Sequence, residues 1–276
     1  MPEGDTIFRA ARTLDRALAG HTVTHFESVL PKLTRVDVDK GIRGRCVERV
    51  EAHGKWLLMH FSGGLVLLTH MLMSGSWHIY RPGEKWRLPR RAMRVMLATE
   101  QMVAVAFNIQ VAEFHTQESL KRRAGFSTLG PSLLATEFDP SEGAARLLMH
   151  PEMEIGNALL SQSIVAGIGN VYKSEVCFAC GVHPFRKVAS LTPNEVSCLM
   201  ATAREFMSAN VTDASGSQIV TYQGLRRTTS RGNPDERLWV YRRTGEPCRR
   251  CGSEIQSRKQ GPDARTTFWC QQCQPG

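Results

Sequence analysis

The apolar residues of the chain change their spacing twice, and these changes divide it into regions. From Asp5 they recur at the spacing of one helical face, and Gly20 then ends the pattern. The apolar positions of this predicted helix are Ile7, Ala11, Leu14 and Leu18. Residues 21 to about 115 form short runs typical of strands, such as 56–61 and 65–71, between Gly and Pro turns. From about 132 to 210 the spacing is helical again.

This pattern predicts an α+β multidomain protein. We expect residues 1–120 to form an N-terminal β-sandwich or barrel led by a helix, and residues 132–211 to form a helical domain. Residues 212–236 are rich in Gly, Ser, Thr and Arg and are predicted to be a mobile loop and linker. A small module at 237–276 completes the chain, whose 276 residues suit two globular units with such an addition.

Four cysteines give that last module its chemistry. Cys248 and Cys251 are separated by two residues, Cys270 and Cys273 likewise, and eighteen residues lie between the pairs. This spacing lets two tight turns of a β-hairpin present four thiolates to one tetrahedral zinc ion. Two disulfides are the alternative, but no secretory signal precedes them. We therefore predict one structural Zn²⁺ with no open coordination position.

Other cysteines carry a weaker signal. Cys177 and Cys180, followed by His183, imitate a further half-site, yet no second pair remains to complete it. We interpret both as buried structural thiols. Cys46 and Cys198 stand alone.

The charge of the chain points to a polyanionic partner. It has 35 Lys and Arg against 26 Asp and Glu, a net charge of +9, and residues 226–276 carry +6 of this. A solvated basic surface is the alternative interpretation. The longest apolar stretch, residues 65–68, is too short to cross a bilayer, so we expect no membrane partner and a cytoplasmic location.

Two segments could carry chemistry. Removal of Met1 would turn Pro2 into a terminal secondary amine, whose pKa near 8 leaves a useful neutral fraction for nucleophilic attack, with the carboxyl group of Glu3 beside it. An ordinary polar, exposed start of a chain is the alternative. Further along, Gly167 and Gly169 precede a predicted helix that begins at Asn170, which leaves backbone N–H groups able to bind an anion. A glycine turn required only for close packing is the alternative there.

Six motifs occur in one order along the chain. They are PEGD after Met1, HGKWL around Lys55, MSGSW at 73–77, QSIVAGIGNVYKSE at 162–175, VYRRTGEPC at 240–248 and RTTFWCQQCQ at 265–274. By these motifs the chain resembles the formamidopyrimidine-DNA glycosylase and endonuclease VIII family from end to end. The resemblance implies a β-sandwich with a leading catalytic helix, a helix-two-turn-helix domain and a C-terminal β-hairpin zinc finger, with DNA in the cleft between the domains.

The resemblance also implies residue roles. Pro2 matches the nucleophile that attacks C1′ of a damaged nucleotide and forms a Schiff base, and Glu3 matches the acid that protonates the departing sugar oxygen. Lys55 matches the lysine that contacts phosphate and donates a proton in β-elimination. Arg265 matches the arginine that binds phosphates flanking the lesion and serves δ-elimination.

Three further residues match DNA contacts of the family. Asn170 matches the phosphate-binding asparagine of the helix-two-turn-helix motif, with Gly169 at the helix start beside it. Met73 matches the position of an apolar wedge that fills the emptied base stack, and a core methionine is its alternative.

The chain departs from the family pattern at two places. Where relatives that excise oxidised purines have an Arg-Phe pair, the chain has Phe107, Asn108, Ile109 and Gln110. The missing pair and the PEG start resemble the endonuclease VIII branch, whose substrates are chiefly oxidised pyrimidines. After Gly4, where many relatives have Pro-Glu, the chain has Asp5 and Thr6, so it offers no second glutamate there.

We therefore expect a monomeric, bifunctional base-excision-repair enzyme that acts on damaged DNA. It would remove oxidised pyrimidines through the Schiff base of Pro2 and cleave the strand by β,δ-elimination, close to the nucleoid if the source is bacterial. The alternatives are a purine glycosylase of the formamidopyrimidine and 8-oxoguanine type, and a non-catalytic, zinc-dependent protein that binds damaged DNA.

Overall fold

The computed structural model describes residues 2–212, 219–222 and 237–276. It divides into two compact units, with the boundary between Thr128 and Leu129. Apart from Thr212 and residues 219–222, the predicted loop and linker at 212–236 lies outside the described residues. Among the helices in the described part of the chain, none combines the length and the apolar character that a bilayer crossing requires.

The first unit contains two four-stranded antiparallel sheets and three helices. Its elements are α1 (Gly4–Leu18), β1 (His25–Ser28), α2 (Pro31–Lys40), β2 (Val47–His53), β3 (Trp56–Phe61), β4 (Leu65–His70), β5 (Ser76–Tyr80), β6 (Met93–Ala98), β7 (Val103–Phe107), β8 (Val111–Thr116) and α3 (Gln117–Lys121). The first sheet has the order β1-β6-β7-β5 and the second the order β2-β3-β4-β8. This arrangement confirms the predicted β-sandwich behind a leading helix.

Helix α1 follows its predicted pattern. The four residues of its apolar face are buried, namely Ile7, Ala11, Leu14 and Leu18. Gly20 adopts a φ of 80° directly after the helix, a conformation that favours glycine.

Helix α2 was not predicted, because the whole region from 21 to 115 was interpreted as strands. Its ten residues bury only Leu33. The remaining positions are mostly charged or β-branched, so they show no apolar stripe of helical period. Pro31 at the first helical turn is the local signal for this helix.

The central strands β3 and β4 are almost continuously buried. One face belongs to the main core of the unit, with Leu57, Met59, Leu65 and Leu67. The opposite face is covered as well, since Leu58, Val66 and Leu68 form a second cluster with Leu120 of α3. Burial on both faces explains why these strands read as apolar runs rather than as alternating patterns.

Strand pairing brings several loops to one end of this unit. Trp56 of β3 pairs with His70 of β4, and Ser76 of β5 pairs with Phe107 of β7. The turn at 54–55, the loop at 71–75 and the loop at 108–110 therefore lie at the same end of the sandwich. We refer to these three segments as the Lys55 end.

The second unit consists of helices and one hairpin. Its elements are α4 (Pro140–Leu148), α5 (Ile155–Leu160), α6 (Asn170–Ala179), α7 (Pro193–Thr212), β9 (Ile255–Gln260) and β10 (Arg265–Cys270). Eight of the ten residues of α6 are buried, because α5, α7 and the β9–β10 hairpin surround it. The predicted helical domain and C-terminal hairpin are thus confirmed.

One of the cysteine predictions is wrong. Cys177 is a buried thiol as predicted, and burial raises its pKa to about 12. Cys180, however, forms a disulfide with Cys198, which links the end of α6 to α7. The two residues are 18 positions apart on different helices, so their spacing gives no sign of the bond.

Candidate active site

The start of α1 holds a buried carboxyl group. Glu3 is fully buried, and its backbone carbonyl accepts the first hydrogen bond of the helix from Ile7 N at 3.1 Å. Pro2 directly precedes it and is half-buried. Asp5 is also buried and lies 3.4 Å from the guanidinium group of Arg9, and burial raises the pKa of Asp5. Pro2 is therefore the partly exposed residue directly ahead of a helix start that contains two buried acidic residues.

Helix α1 points its first residues towards the Lys55 end. Near the other end of the helix, Gly20 N donates to Val47 O at 2.8 Å, and Val50 N donates to the carboxylate of Asp15 at 2.7 Å. The last part of α1 thus lies along the first residues of β2. Both elements are about 22 Å long, since α1 has 15 residues and β2 has seven. Pro2 and Glu3 therefore lie towards His53, next to the Lys55 turn.

Lys55 occupies a tight turn between β2 and β3. His53 pairs with Trp56, so Gly54 and Lys55 are the two central residues of the hairpin loop. Gly54 has a φ of 57°, which this turn position requires. A two-residue loop has a defined backbone conformation, so the turn fixes the point from which the side chain of Lys55 extends.

A charged and aromatic stack supports this turn. The guanidinium group of Arg123 lies 4.3 Å from the ring centre of Trp56, a cation–π contact. Arg123 is in turn held by Glu113, at 3.0 and 3.3 Å, and this interaction is the main reason why the pKa of Glu113 falls to about 2. Glu113 therefore stays ionised at neutral pH.

His70 belongs to the same cluster, although the sequence analysis did not single it out. Its ring packs edge-on against Trp56 at 4.7 Å, and its Nδ1 accepts a hydrogen bond from Leu72 N at 3.0 Å. Burial and the charges of Lys55 and Arg123 lower the pKa of His70 to about 4. The ring is therefore neutral at pH 7, with its proton on Nε2. No sequence signal distinguishes it, since its neighbours come from three different elements.

Met73 lies on the surface of the loop at 71–75. The residue is 65% exposed, so the interpretation as a core methionine is wrong. The loop is tight, because Gly75 N donates to Met71 O at 2.8 Å, and a Cβ at Gly75 would approach that oxygen to 2.5 Å. Leu72, with a φ of 48°, is also partly exposed. This loop presents an apolar tip at the Lys55 end.

The neighbouring loop at 108–110 is mostly inward-facing. Phe107 and Ile109 are fully buried, and Asn108 has a φ of 54°. Gln110 is the exposed side chain of this segment. Gln110 is therefore the long side chain that this loop exposes to solvent.

In the second unit, Gln162 shapes the glycine segment before α6. Its amide nitrogen donates to Leu160 O at 2.9 Å and Ile168 O at 3.0 Å, and its amide oxygen accepts from Gly167 N at 3.0 Å. Gly167 has a φ of 119°, and Gly169 is the N-cap residue without a side-chain cap. The start of α6 thus keeps a fixed geometry with its positive dipole end towards the glycine turn.

Asn170 and the zinc-module hairpin meet at this helix start. Asn170 Nδ2 donates to Thr266 O at 2.8 Å, and its Oδ1 has no hydrogen-bond partner among the described residues. One turn later, Lys173 Nζ donates to Thr267 Oγ1 at 2.6 Å. Arg265 precedes these threonines on β10, and its side chain is 41% exposed, 3.9 Å from the carboxylate of Asp263. The structure therefore brings Gly169, Asn170 and the strand of Arg265 together.

Glu175 is a second residue that the sequence analysis missed. It is fully buried, and its carboxylate accepts hydrogen bonds from the backbone N–H groups of Trp239, Val240 and Tyr241 at 2.8 to 2.9 Å and from the hydroxyl of Thr221. Burial raises its pKa, while these donors oppose that shift. Its partners lie 46 to 66 positions away in the sequence, so the local pattern of α6 gives no sign of this role.

Part of the basic charge of the last module has an internal role. The guanidinium group of Arg249 lies 4.5 Å from the ring centre of Tyr222, and that of Arg250 lies 4.5 Å from the ring centre of Phe178. These contacts attach the first pair of zinc-module cysteines to α6 and to residues 219–222. Basic residues of this segment are therefore not all available to an external partner.

The four predicted metal ligands converge. The sulfur atoms of Cys248, Cys251, Cys270 and Cys273 all lie within 4.8 Å of one another. Pairs of sulfur atoms around a tetrahedral zinc ion with Zn–S bonds of about 2.3 Å are separated by a little under 4 Å, and the distances of 3.9 Å (Cys248 to Cys273) and 3.4 Å (Cys251 to Cys270) suit this geometry. The residues fit one structural zinc ion, which stabilises the hairpin and leaves no position for a reactive water.

Comparisons with known proteins agree with this architecture. Residues 1–110 match the model of the formamidopyrimidine-DNA glycosylase N-terminal domain, residues 129–221 that of the formamidopyrimidine-DNA glycosylase H2TH domain, and residues 245–276 that of the zinc finger found in FPG and IleRS. The chain belongs to the formamidopyrimidine-DNA glycosylase and endonuclease VIII family. It is thus a DNA-repair enzyme of the glycosylase and abasic-site lyase class.

Individual relatives are similar over their whole length. The chain is 38% identical to the probable endonuclease 8 2 of Streptomyces coelicolor, covering 100% of this chain and 95% of that protein. It is 33% identical to the DNA-(apurinic or apyrimidinic site) lyase Nei2 of Mycolicibacterium smegmatis, covering 99% of each. The structure of Lactococcus lactis Fpg in complex with abasic-site DNA has the same fold, with a TM-score of 0.81 at 24% identity over 99% of this chain and 100% of that one.

We predict that loss of zinc loosens the hairpin before it affects the first unit. Chelation, or Cys270→Ser, removes ligands that hold β9 and β10 together and thereby displaces Arg265. Hydrogen exchange should show lost protection in 255–270 and unchanged protection in β3 and β4, with zinc content falling in parallel. Cys46→Ser, in the first unit, is the matched control, and a demetallated protein with a fully protected hairpin would contradict the prediction.

We also predict that His70 titrates far below an ordinary histidine. Its NMR titration midpoint should lie near pH 4, and Lys55→Gln should raise that midpoint because a nearby positive charge is removed. Arg35→Gln, on the exposed face of α2, should leave it unchanged. A wild-type midpoint near the ordinary value of about 6.5 would refute this account of the cluster.

Proposed function

We propose that this enzyme removes oxidised pyrimidines from DNA through a Schiff base of Pro2 and then cleaves the strand by β,δ-elimination. The observation that carries the proposal is the common location of Pro2, the buried carboxyl group of Glu3 and the Lys55 turn at one end of the first unit. A nucleophilic amine, an acid and a phosphate-binding cation are the groups that this reaction requires.

The reaction begins at the amine. After removal of Met1, the Pro2 nitrogen attacks C1′, the bond between C1′ and the base breaks, and the base leaves with a proton. Glu3 protonates the sugar-ring oxygen, which opens the ring and leaves a cationic imine at C1′. Its buried position directly next to Pro2 supports this role, because an acid must lie close to the amine to assist its reaction.

Strand cleavage follows from the imine. Loss of a proton from C2′ expels the 3′ phosphate in β-elimination, and a second elimination expels the 5′ phosphate. Lys55 supplies a proton donor and phosphate contact for the first step, and Arg265 supports the second. The fixed turn that holds Lys55 and the partial exposure of Arg265 support these assignments.

Binding of the damaged strand rests on phosphate contacts. Asn170 and the backbone N–H of Gly169 bind a phosphate at the start of α6, where the helix dipole favours an anion. Met73 enters the base stack after the nucleotide has turned out, because its exposed apolar side chain can replace the lost stacking. The zinc ion keeps the Arg265 hairpin folded.

The preference for oxidised pyrimidines rests on the loop at 108–110 and the PEG start. Where purine-excising relatives carry an Arg-Phe pair, the chain has Phe107, Asn108, Ile109 and Gln110, and the side chains of Phe107 and Ile109 are buried. We further propose that the enzyme acts as a monomer on damaged DNA in the cytoplasm, at the nucleoid in a bacterial cell. Residues 1–120 would carry the nucleophile, 132–211 and 237–276 the phosphate contacts, and 212–236 a mobile connection.

Borohydride trapping on abasic-site DNA tests the nucleophile. Reduction of the imine should link the processed protein covalently to the DNA, and peptide mass spectrometry should locate the link at Pro2. A variant that keeps residues ahead of Pro2 should give no adduct, because its nitrogen is then an amide. Arg12→Gln, at an exposed position of α1, is the control and should trap normally. An adduct mapped to another amine would overturn the assignment.

A panel of duplexes tests the substrate class. We expect excision of oxidised pyrimidines to be at least about tenfold faster than excision of 8-oxoguanine, a ratio within the range that pocket contacts supply. Cleavage of the corresponding abasic duplexes normalises each rate for the lyase step. Faster excision of the purine would support the alternative of a purine glycosylase, and binding of every duplex without cleavage would support a non-catalytic damage-binding protein.

A further inference from the structure

The connection between β5 and β6 is a strongly basic surface segment. Residues 81–92, which we call the basic cover, contain Arg81, Lys85, Arg87, Arg90 and Arg91 against the single acid Glu84. All five basic side chains are exposed. None of the residue roles assigned above involves this segment.

Apolar side chains fix the basic cover to the outer face of the first sheet. Trp86 packs against Phe107 at 5.8 Å and against Tyr80 at 6.4 Å, and Leu88 joins the same cluster. Arg87 N also donates to the Tyr80 hydroxyl at 3.0 Å. Because the inward side chains are held in this way, the basic side chains between them are directed towards solvent from a rigid base.

Among the residues that the structure describes, most of this charge has no carboxylate partner. Arg90 pairs with Glu27 at 2.7 Å. In contrast, no carboxylate in the described part of the chain forms an ion pair with Lys85, Arg87 or Arg91. Exposed like charges repel one another, so an unpaired group of them on a rigid base suits a polyanion.

The two ends of the basic cover differ in position. Tyr80 pairs with Val103 at the end of the sheet opposite the Lys55 end. Arg81 follows Tyr80 and therefore lies at that opposite end. At the other end, Ala92 O accepts a hydrogen bond from Asn108 N at 2.8 Å. Arg91 therefore lies beside the loop at 108–110.

Arg87 lies between these ends, over β5. Its backbone N–H donates a hydrogen bond to Tyr80 at one end of β5, and the neighbouring Trp86 contacts Phe107, which pairs with Ser76 at the other end. Arg91 and Arg87 thus lie one after the other on the outer face of the first sheet, starting from the Lys55 end.

We propose that Arg87 and Arg91 bind phosphates of the DNA backbone and extend the DNA-binding surface from the Lys55 end over the basic cover. The proposal rests on the proposed function, since DNA must engage the Lys55 end. The contacts are independent of base sequence, because guanidinium groups on an exposed surface meet the phosphates and not the base edges. The ligand is the phosphate backbone of a duplex long enough to reach beyond the lesion.

The salt dependence of binding tests this surface. The probe is a duplex of roughly 25 base pairs with a reduced abasic site that cannot be cleaved, and affinity is measured by fluorescence anisotropy at several salt concentrations. Log K falls as log salt concentration rises, and each phosphate contact contributes about 0.9 to the steepness of this fall. The R87Q/R91Q variant should therefore show a slope that is shallower by about 2. The conservative variant R87K/R91K should restore most of it.

The matched control removes the same charge from the same segment. Arg81 follows β5 at the opposite end of the sheet, and Lys85 comes directly after the turn that Glu84 N closes onto Arg81 O, so the slope of R81Q/K85Q should stay close to that of the wild type. Equal thermal unfolding temperatures verify the fold of all variants. An unchanged slope in R87Q/R91Q, or an equal fall in R81Q/K85Q, would overturn the proposal. Wild-type borohydride trapping is measured separately, so a missing Pro2 adduct would reject the proposed function without deciding the slope.

Discussion

The second unit of this enzyme depends on one buried helix, α6, and on the polar groups that it carries into the interior. Asn170, Lys173 and Ser174 lie on one side of α6 and bond to three consecutive residues of β10. Glu175 holds the backbone at 239–241. Buried polar groups are costly unless they are paired, so these bonds define a single register between helix and hairpin. Arg265 directly precedes these bonded residues on β10, so the same register determines its position.

The first unit holds Pro2, the Lys55 turn and the exposed Met73 loop towards one end of a β-sandwich. Antiparallel pairing accomplishes this through geometry alone. The turn of Lys55, the loop of Met73 and the loop at 108–110 all follow or precede paired strand ends. Their relative positions therefore depend on strand register, which the buried apolar residues of β3 and β4 define.

How much could be predicted from sequence depended on whether the partners of a residue were close along the chain. The apolar face of α1, the spacing of the four metal-binding cysteines and the glycines before Asn170 are local patterns, and each predicted its structure correctly. Helix α2 was missed because it buries only Leu33 and has no apolar stripe. The roles of His70 and Glu175, and the bond between Cys180 and Cys198, were invisible because their partners come from distant segments. The exposure of Met73 could not be predicted from the sequence, because it depends on the conformation of the loop at 71–75.

The bond between Cys180 and Cys198 places two opposed kinds of sulfur chemistry in one unit. Zinc ligation requires deprotonated, reduced cysteines, whereas the bridge between α6 and α7 exists only after two-electron oxidation. The redox state of the purification buffer therefore affects the disulfide and the zinc ligands in opposite ways. Strong reductants open the disulfide and protect the zinc ligands from oxidation. Peroxides preserve the disulfide and oxidise the zinc ligands. Preparations handled in different redox buffers can thus differ in covalent state while sharing one sequence.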